Sequence, residues 1–455
     1  MSSSMTKGNP LRVMLQFAFP LLVGNLLQQT YNIIDAAIVG QNLGAQALAS
    51  VGASTSVQFM VLGFCMGSCT GFGIPVAKYF GAGDLAHMKK IIFNGAIVTA
   101  AIACIITALC ALLCPRILQV LSVKSDIYDN AYSYLMIIFL GLPFTLLYNY
   151  LSSILRAVGD SRTPFLFLAF SAVLNIFLDL FFILVADWGC AGAAFATIAA
   201  QAISGILCLI VIIRRMEVLW LSKENRVVRG DSITELLQMG LPTGLQFSIT
   251  AIGSVLLQSA VNALGPVCVA GNAAASKLFQ LFCCPYDALA MTATSFTGQN
   301  LGAGKYDRIR QGTVACTLIG LCYCAMHVLL ALFGTRFAIW IFMSAEEAQT
   351  VLAYTQQMCN YVAFFSPLLL LVNVFRLSIQ GMGYSRAALC AGVMEMIART
   401  TMSLWAVPHF GYTAACLAGP LAWLFADLFL VPAYFACLRA RERQAAEARA
   451  IAAEE

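Results

Sequence analysis

The stretch "QNLGAQALA" (residues 41–49) returns, with its Leu-Gly step intact, as "NALGPVCVA" (residues 262–270). Two further pairs keep the same shift of about 221 to 224 residues: "KYFGAGD" (78–84) with "QNLGAGK" (299–305), and "LRAVGDSR" (155–162) with "IQGMGYSR" (379–386). Self-similarity at one spacing marks a duplicated structural unit.

Composition says what is duplicated. Of 455 residues 60% are hydrophobic and 10% charged, and Phe alone numbers 30, far from a soluble globular domain. Apolar runs recur along the whole chain, each long enough to cross a hydrocarbon core of about 30 Å as a helix. Turn and charge clusters predict twelve spans, near 14–39, 52–77, 91–114, 130–152, 164–186, 190–213, 234–261, 273–297, 313–334, 351–373, 387–408 and 412–437. The expected fold is an all-α polytopic membrane protein of twelve transmembrane helices in two six-helix lobes. Six is even, so both repeats start on one face and are related by a pseudo-twofold axis along the membrane normal. The expected parts are an N-lobe over 1–213, a cytoplasmic linker over 214–232, a C-lobe over 233–438 and a cytoplasmic tail over 439–455. The polar opening "MSSSMTKGNPLR" and the lack of a small-residue cleavage site after the first run argue against a removable signal peptide.

Basic residues orient the chain. Sorted by the predicted loops, 21 of the 26 Lys and Arg lie on the side shared by both termini, three on the other (Arg116, Lys124, Arg336) and two inside spans (Lys277, Arg399). The positive-inside rule places both termini in the cytoplasm and the protein in the cell membrane. The 17 cysteines are scattered through apolar runs, where Cys behaves as a small hydrophobe, so neither a disulfide framework nor a cysteine metal site is expected.

Against this background one acid stands out. Asp35, in "QQTYNIIDAAIVG" (28–40), is the lone charge of its apolar stretch. A carboxylate in mid-membrane costs about 2.5–3.5 kcal/mol on insertion scales and so faces protein and a partner. The fifth span supplies company: Asn175 and Asp179 are four apart and share a helix face. The sixth adds Thr197, near the small residues Gly192, Ala193 and Ala194 that permit close helix approach. Taken singly, Asn175 reads as an interhelical hydrogen bond and Thr197 as a hydroxyl bonded to its own preceding turn. Two acids in a lobe with no Lys or Arg inside its spans must share a proton, bind a metal cation such as Na⁺, or open to water.

The second repeat differs. Asp35 aligns with Leu256 or Leu257, and Asn175 aligns near Arg399, which has Glu395 one turn earlier. A structural ion pair, Glu395 with Arg399, is expected where the first repeat has its acids. Asp287, beside "CCPY", is the second-lobe candidate for a substrate-facing acid; Asp427, Lys277 and His327 also fall in spans. Pro20 and Pro242 occupy equivalent places in the first helix of each repeat, where a missing N–H weakens the helix, and Pro20 is the candidate conformational hinge.

"FPLLVGNLLQQTYNIIDAAIVGQNLGAQALASVG", "LRAVGDSRTP", "LNIFLDLFFI" and "WGCAGAAFATIAAQ" resemble the multidrug and toxic compound extrusion (MATE) family from about Pro10 to Leu438. The resemblance implies alternating access and export of amphipathic organic cations and drugs against inward H⁺ or Na⁺. It places the first-lobe cation site on Asp35, Asn175, Asp179 and Thr197, polar cavity positions on Gln28, Tyr31 and Asn149, and the bending proline on Pro20. One branch of the family uses acids in helices seven and ten; here helix seven offers only Glu235 at its end, so the resemblance is to the DNA-damage-inducible or MepA-like branch.

The expected function is a secondary multidrug exporter that is not an enzyme and has no cofactor beyond the coupling ion, H⁺ or Na⁺. Its expected partners are drug-like small molecules and the lipid bilayer, with no nucleic acid; nothing in the sequence indicates an oligomeric state. The alternative, a lipid-linked oligosaccharide flippase of the same superfold, would want intramembrane Lys or Arg to grip a pyrophosphate, which the first lobe lacks. His87 is in a loop, His409 sits at a span end and His327 stands alone in its lobe, which argues against an intramembrane enzyme.

Overall fold

The computed structural model describes residues 4–121, 123, 125–341 and 345–454, and among them there are helices and no strand. The spans are α1 (Pro10–Gly44), α2 (Ser54–Ala82), α3 (Leu85–Val120), α4 (Ser125–Leu140 and Leu142–Ala157), α5 (Arg162–Val185) and α6 (Gly189–Arg215) in the first repeat. The second has α7 (Gly230–Asn262), α8 (Pro266–Gly302), α9 (Tyr306–Ala338) and α10 (Ala348–Phe364 and Ser366–Gly381). It closes with α11 (Ser385–Thr401, continued by Met402–Ala406 and Val407–Phe410) and α12 (Tyr412–Glu454). Nine are long and apolar enough to span by themselves, and α4 and α10 qualify as pairs bent by 45° and 52°. The twelfth, α11, carries Arg386, Glu395 and Arg399 and is less apolar for that reason. Lys124 lies outside the described residues.

The repeat is visible in the backbone. Gly44 (φ 84, ψ 179) and Gly265 (φ 107, ψ 162), the glycines of the two matching stretches, break the chain in the same conformation. That region of φ/ψ space is open essentially to glycine alone, which is why the Leu-Gly step survives in both copies. One turn of π-helix closes α5 at Phe181–Val185, and another interrupts α11 at Met402–Ala406 at the repeat spacing.

Packing sorts the chain into two units. One comprises Val23–Gly244; the other comprises Met5–Leu22 and the chain from Leu245 onward. α1 thus changes unit two residues after Pro20, and α7 two residues after Pro242. Helical dihedrals persist through Pro20, and Gly44 is where the helix breaks. In the first unit the start of α7 lies against α2 through a Gly-x-x-x-Gly pair. A Cβ on Gly240 would meet the Phe72 ring, one on Gly244 would meet Ser68, and one on Gly71 would lie 2.6 Å from Gly240 Cα. Small residues let backbones approach where lipid supplies no hydrophobic drive. Lys78 of α2 adds an ion pair to Glu235 of α7 at 3.1 Å, and Tyr79 donates to the same carboxylate at 3.0 Å. In the second unit the start of α1 is anchored through Met5, Met14, Phe17 and Leu21 in the core. Arg308 there donates to the carbonyls of Gly8 at 2.8 Å and Met5 at 3.1 Å.

Helices α5 and α11 present apolar side chains outward and polar ones inward, as spanning helices should. On α5, Leu166, Phe170, Val173 and Phe177 are exposed while Asn175 and Asp179 are buried. On α11, Ile397, Leu404 and Trp405 are exposed while Glu395 and Arg399 are buried.

Candidate functional site

The first unit brings the predicted polar residues together. Asp179 is fully buried and Asn175 is 2% exposed. α6 can come close because Gly192 has no side chain: a Cβ there would sit 3.1–3.2 Å from Phe182. Ala193 and Ala194 behind it are buried. The Asn175 amide nitrogen lies 3.4 Å from Thr197 Oγ1; with the amide turned over, its nitrogen would donate to Asp179 Oδ2 at 3.2 Å and its oxygen would accept from the Thr197 backbone N–H at 3.2 Å. With its oxygen toward Asp179 the amide can be satisfied there only by a protonated carboxyl or a cation. The Thr197 hydroxyl donates to the Ala193 carbonyl at 3.1 Å, the preceding turn of its own helix.

Asp35 reaches this cluster from α1, its carboxyl in hydrogen-bonding contact with that of Asp179. One oxygen of each acid, Asp35 Oδ1 and Asp179 Oδ1, is buried with no hydrogen-bond partner. Among the described residues neither acid has a cationic partner. Lys78 and Arg156 belong to helices α2 and α4 just beyond the expected span ends at 77 and 152. They lie near the helix ends: Lys78 is held by Glu235, and Arg156 has the uncharged Tyr148 and Cys69 for neighbours.

Of the predicted cavity residues, Tyr31 hydrogen-bonds Gln28 and lies in the field of both acids. Asn149 donates to Thr145 on its own helix at 2.8 Å. Sequence reasoning missed Tyr134 of α4, buried and also in the field of both acids, which hydrogen-bonds Gln58 of α2; Gln58 in turn donates to Ser54 at 2.9 Å. An isolated Tyr or Gln in an apolar run carries no signal of its own. Asp287 is exposed on α8 beside Cys283 and Cys284, and Pro20 is buried.

In the second unit Glu395 and Arg399 pair at 3.3 Å, and the pair is larger than expected. Arg376 of α10, 6% exposed, also pairs with Glu395. Counting Arg376 among the loop residues was an error: the break at Phe365 restarts the helix at Ser366 and carries it to Gly381, and Arg376 then sits among the buried Val372, Val374, Leu377 and Ile379. Asp427 of α12 is 6% exposed and lies in the field of Arg376. Two buried arginines and two buried acids therefore stand near the repeat-equivalent place.

Duplicated six-span halves around buried intramembrane acids define a polytopic membrane protein of the architecture used by secondary transporters. The chain belongs to the MatE family, whose pattern matches residues 20–181 and 242–405. It is 30% identical over 410 residues to the "Probable multidrug resistance protein YpnP" of Bacillus subtilis (strain 168), covering 90% of this chain and 89% of that one. It is 21% identical to the "Multidrug export protein MepA" of Staphylococcus aureus (strain NCTC 8325 / PS 47), over 59% of this chain and 60% of that protein. The fold matches a structure described as the outward-facing conformation of a multidrug resistance MATE family transporter. The TM-score is 0.90 at 19% identity, over 96% of this chain and 98% of that one.

Proposed function

We propose that this chain is a multidrug exporter of the cytoplasmic membrane, with both termini cytoplasmic, that drives amphipathic organic cations outward by alternating access in exchange for protons. The contact between Asp35 and Asp179, made without a basic partner, carries this reading. Two carboxyl groups in hydrogen-bonding contact need one proton between them, and losing that proton leaves like charges that must separate or draw in water. A helix held at one end in one unit and bearing Asp35 in the other is suited to respond.

With its nitrogen turned to Asp179 the Asn175 amide suits a proton-sharing pair, since its oxygen is then taken by the Thr197 N–H; with its oxygen turned there it would offer Na⁺ a ligand. Relatives named as multidrug resistance or export proteins support the substrate class.

The test is reconstitution of the full chain in liposomes with a fluorescent organic cation and an imposed pH gradient. Accumulation that requires the gradient supports the proposal. Gradient-independent movement of a lipid-linked sugar, with no movement of the cation, would favour the flippase reading.

A further inference from the structure

Arg376, Glu395, Arg399 and Asp427 come from three helices, and none is more than 9% exposed. Their pairing is lopsided. Glu395 takes both arginines, while neither oxygen of Asp427 has a hydrogen-bond donor. Arg376 Nε and Nη2, Arg399 Nη1 and Glu395 Oε1 likewise have no hydrogen-bond partner, so Arg376 meets Glu395 as an ion pair only. Arg376 lies close enough to Asp427 for each to feel the other's charge, yet it is committed to Glu395.

An ionised carboxylate buried beside an arginine with an unused N–H would be expected to draw that donor in, because an unpaired buried charge is the costliest arrangement available. A neutral carboxyl has no such demand. We infer that Asp427 is a second proton-binding site of this protein, and that its proton decides whether Arg376 serves Glu395 alone or is shared with Asp427. With the proton on, Arg376 and Arg399 both hold Glu395. When the proton leaves to water, Asp427 becomes an anion and pulls Arg376 across, loosening α10 from α11 and tightening it on α12. The acid on each side of Arg376 gives two discrete arrangements, as a switch requires.

The groups around Asp427 are accounted for helix by helix. α10 contributes Arg376; on α11, Glu395 is tied to Arg376 and Arg399, and Arg386 and Cys390 are exposed. His409, at the end of α11, is exposed and bonds the Trp405 carbonyl at 2.6 Å. The titratable side chains of the first half of α10, Tyr354, Cys359 and Tyr361, belong to separate apolar clusters. The inference deepens the coupling role proposed above, and its test is independent of transport.

The experiment is infrared difference spectroscopy on the full-length protein in lipid nanodiscs, following the carbonyl stretch of protonated carboxyl groups as pH is stepped upward. An Asp35→Asn/Asp179→Asn background silences the first-unit pair. The expected result is a carbonyl band lost on alkalinisation, missing when Asp427→Asn is added and restored at a shifted frequency by Asp427→Glu. A band that survives Asp427→Asn, or no band in that background, would overturn the inference. Efflux by Asp35→Asn, measured separately, judges the coupling reading: undiminished efflux beside the expected band would sink that reading and leave Asp427 as a proton site.

Discussion

Asp35 of α1 and Asp179 of α5 meet carboxyl to carboxyl inside the first unit, each with one oxygen that has no hydrogen-bond partner. The arrangement is stable only while something positive is shared between them, and no side chain among the described residues supplies it. The surrounding hydrogen bonds then predict which substitutions matter.

Asn175 and Thr197 should separate in their effects. Asn175→Leu removes the amide beside Asp179 and should lower gradient-driven uptake in vesicles roughly tenfold, about the worth of one hydrogen bond to a charged group. Thr197→Val removes a hydroxyl already satisfied by Ala193 and should change uptake by no more than about twofold. A collapse of transport in Thr197→Val would mean the hydroxyl ligates the coupling ion, and would argue for Na⁺.

The second unit predicts a particular order of stabilities. Arg399→Met leaves Glu395 still paired with Arg376 and should be tolerated. Glu395→Gln strands two buried guanidinium groups and should cost about 3–5 kcal/mol. Adding Arg399→Met to Glu395→Gln leaves Arg376 with Asp427 as its only acid, so recovery should be partial, and complete only when Arg376→Met is added. Thermal unfolding of the detergent-solubilised variants would check this. Full recovery in the Glu395→Gln/Arg399→Met double variant would show that Arg376 does not depend on Glu395.

Gly44→Ala and Gly265→Ala should each destabilise by about 1–3 kcal/mol through backbone strain alone. Nothing lies within 4 Å of a Cβ at either position. The two glycines are in different units, so the double variant should lose the sum. Melting of the three variants measures it, and a single variant that melts like the parent would remove strain as the reason for the glycine.

Much of this was legible beforehand, for a physical reason. Asp35, Asn175, Asp179 and Thr197 are polar groups inside apolar helices, where each is costly and so informative. The same logic missed Arg376, because the tenth apolar run was ended at 373 and an arginine beyond it read as loop. Only the bend at Phe365 shows that the helix starts afresh. Tyr134 and Gln58 cost little in an apolar run and gave no warning. The assignment of Met5–Leu22 to the second unit was also out of reach, since it depends on packing by Met5, Met14 and Arg308 rather than on any local pattern.

The most direct test of the coupling centre is pH-gradient-driven uptake of a fluorescent organic cation into sodium-free proteoliposomes, comparing the parent with Asp35→Asn, Asp179→Asn and the double variant. An amide keeps the shape of the acid and loses its exchangeable proton. If the two carboxyls share one proton, each single variant should abolish gradient-driven uptake while remaining folded, and the double variant should be no worse, because members of one site act as a unit. Near-parental uptake by either single variant, or a strict requirement for sodium in the parent, would contradict the account.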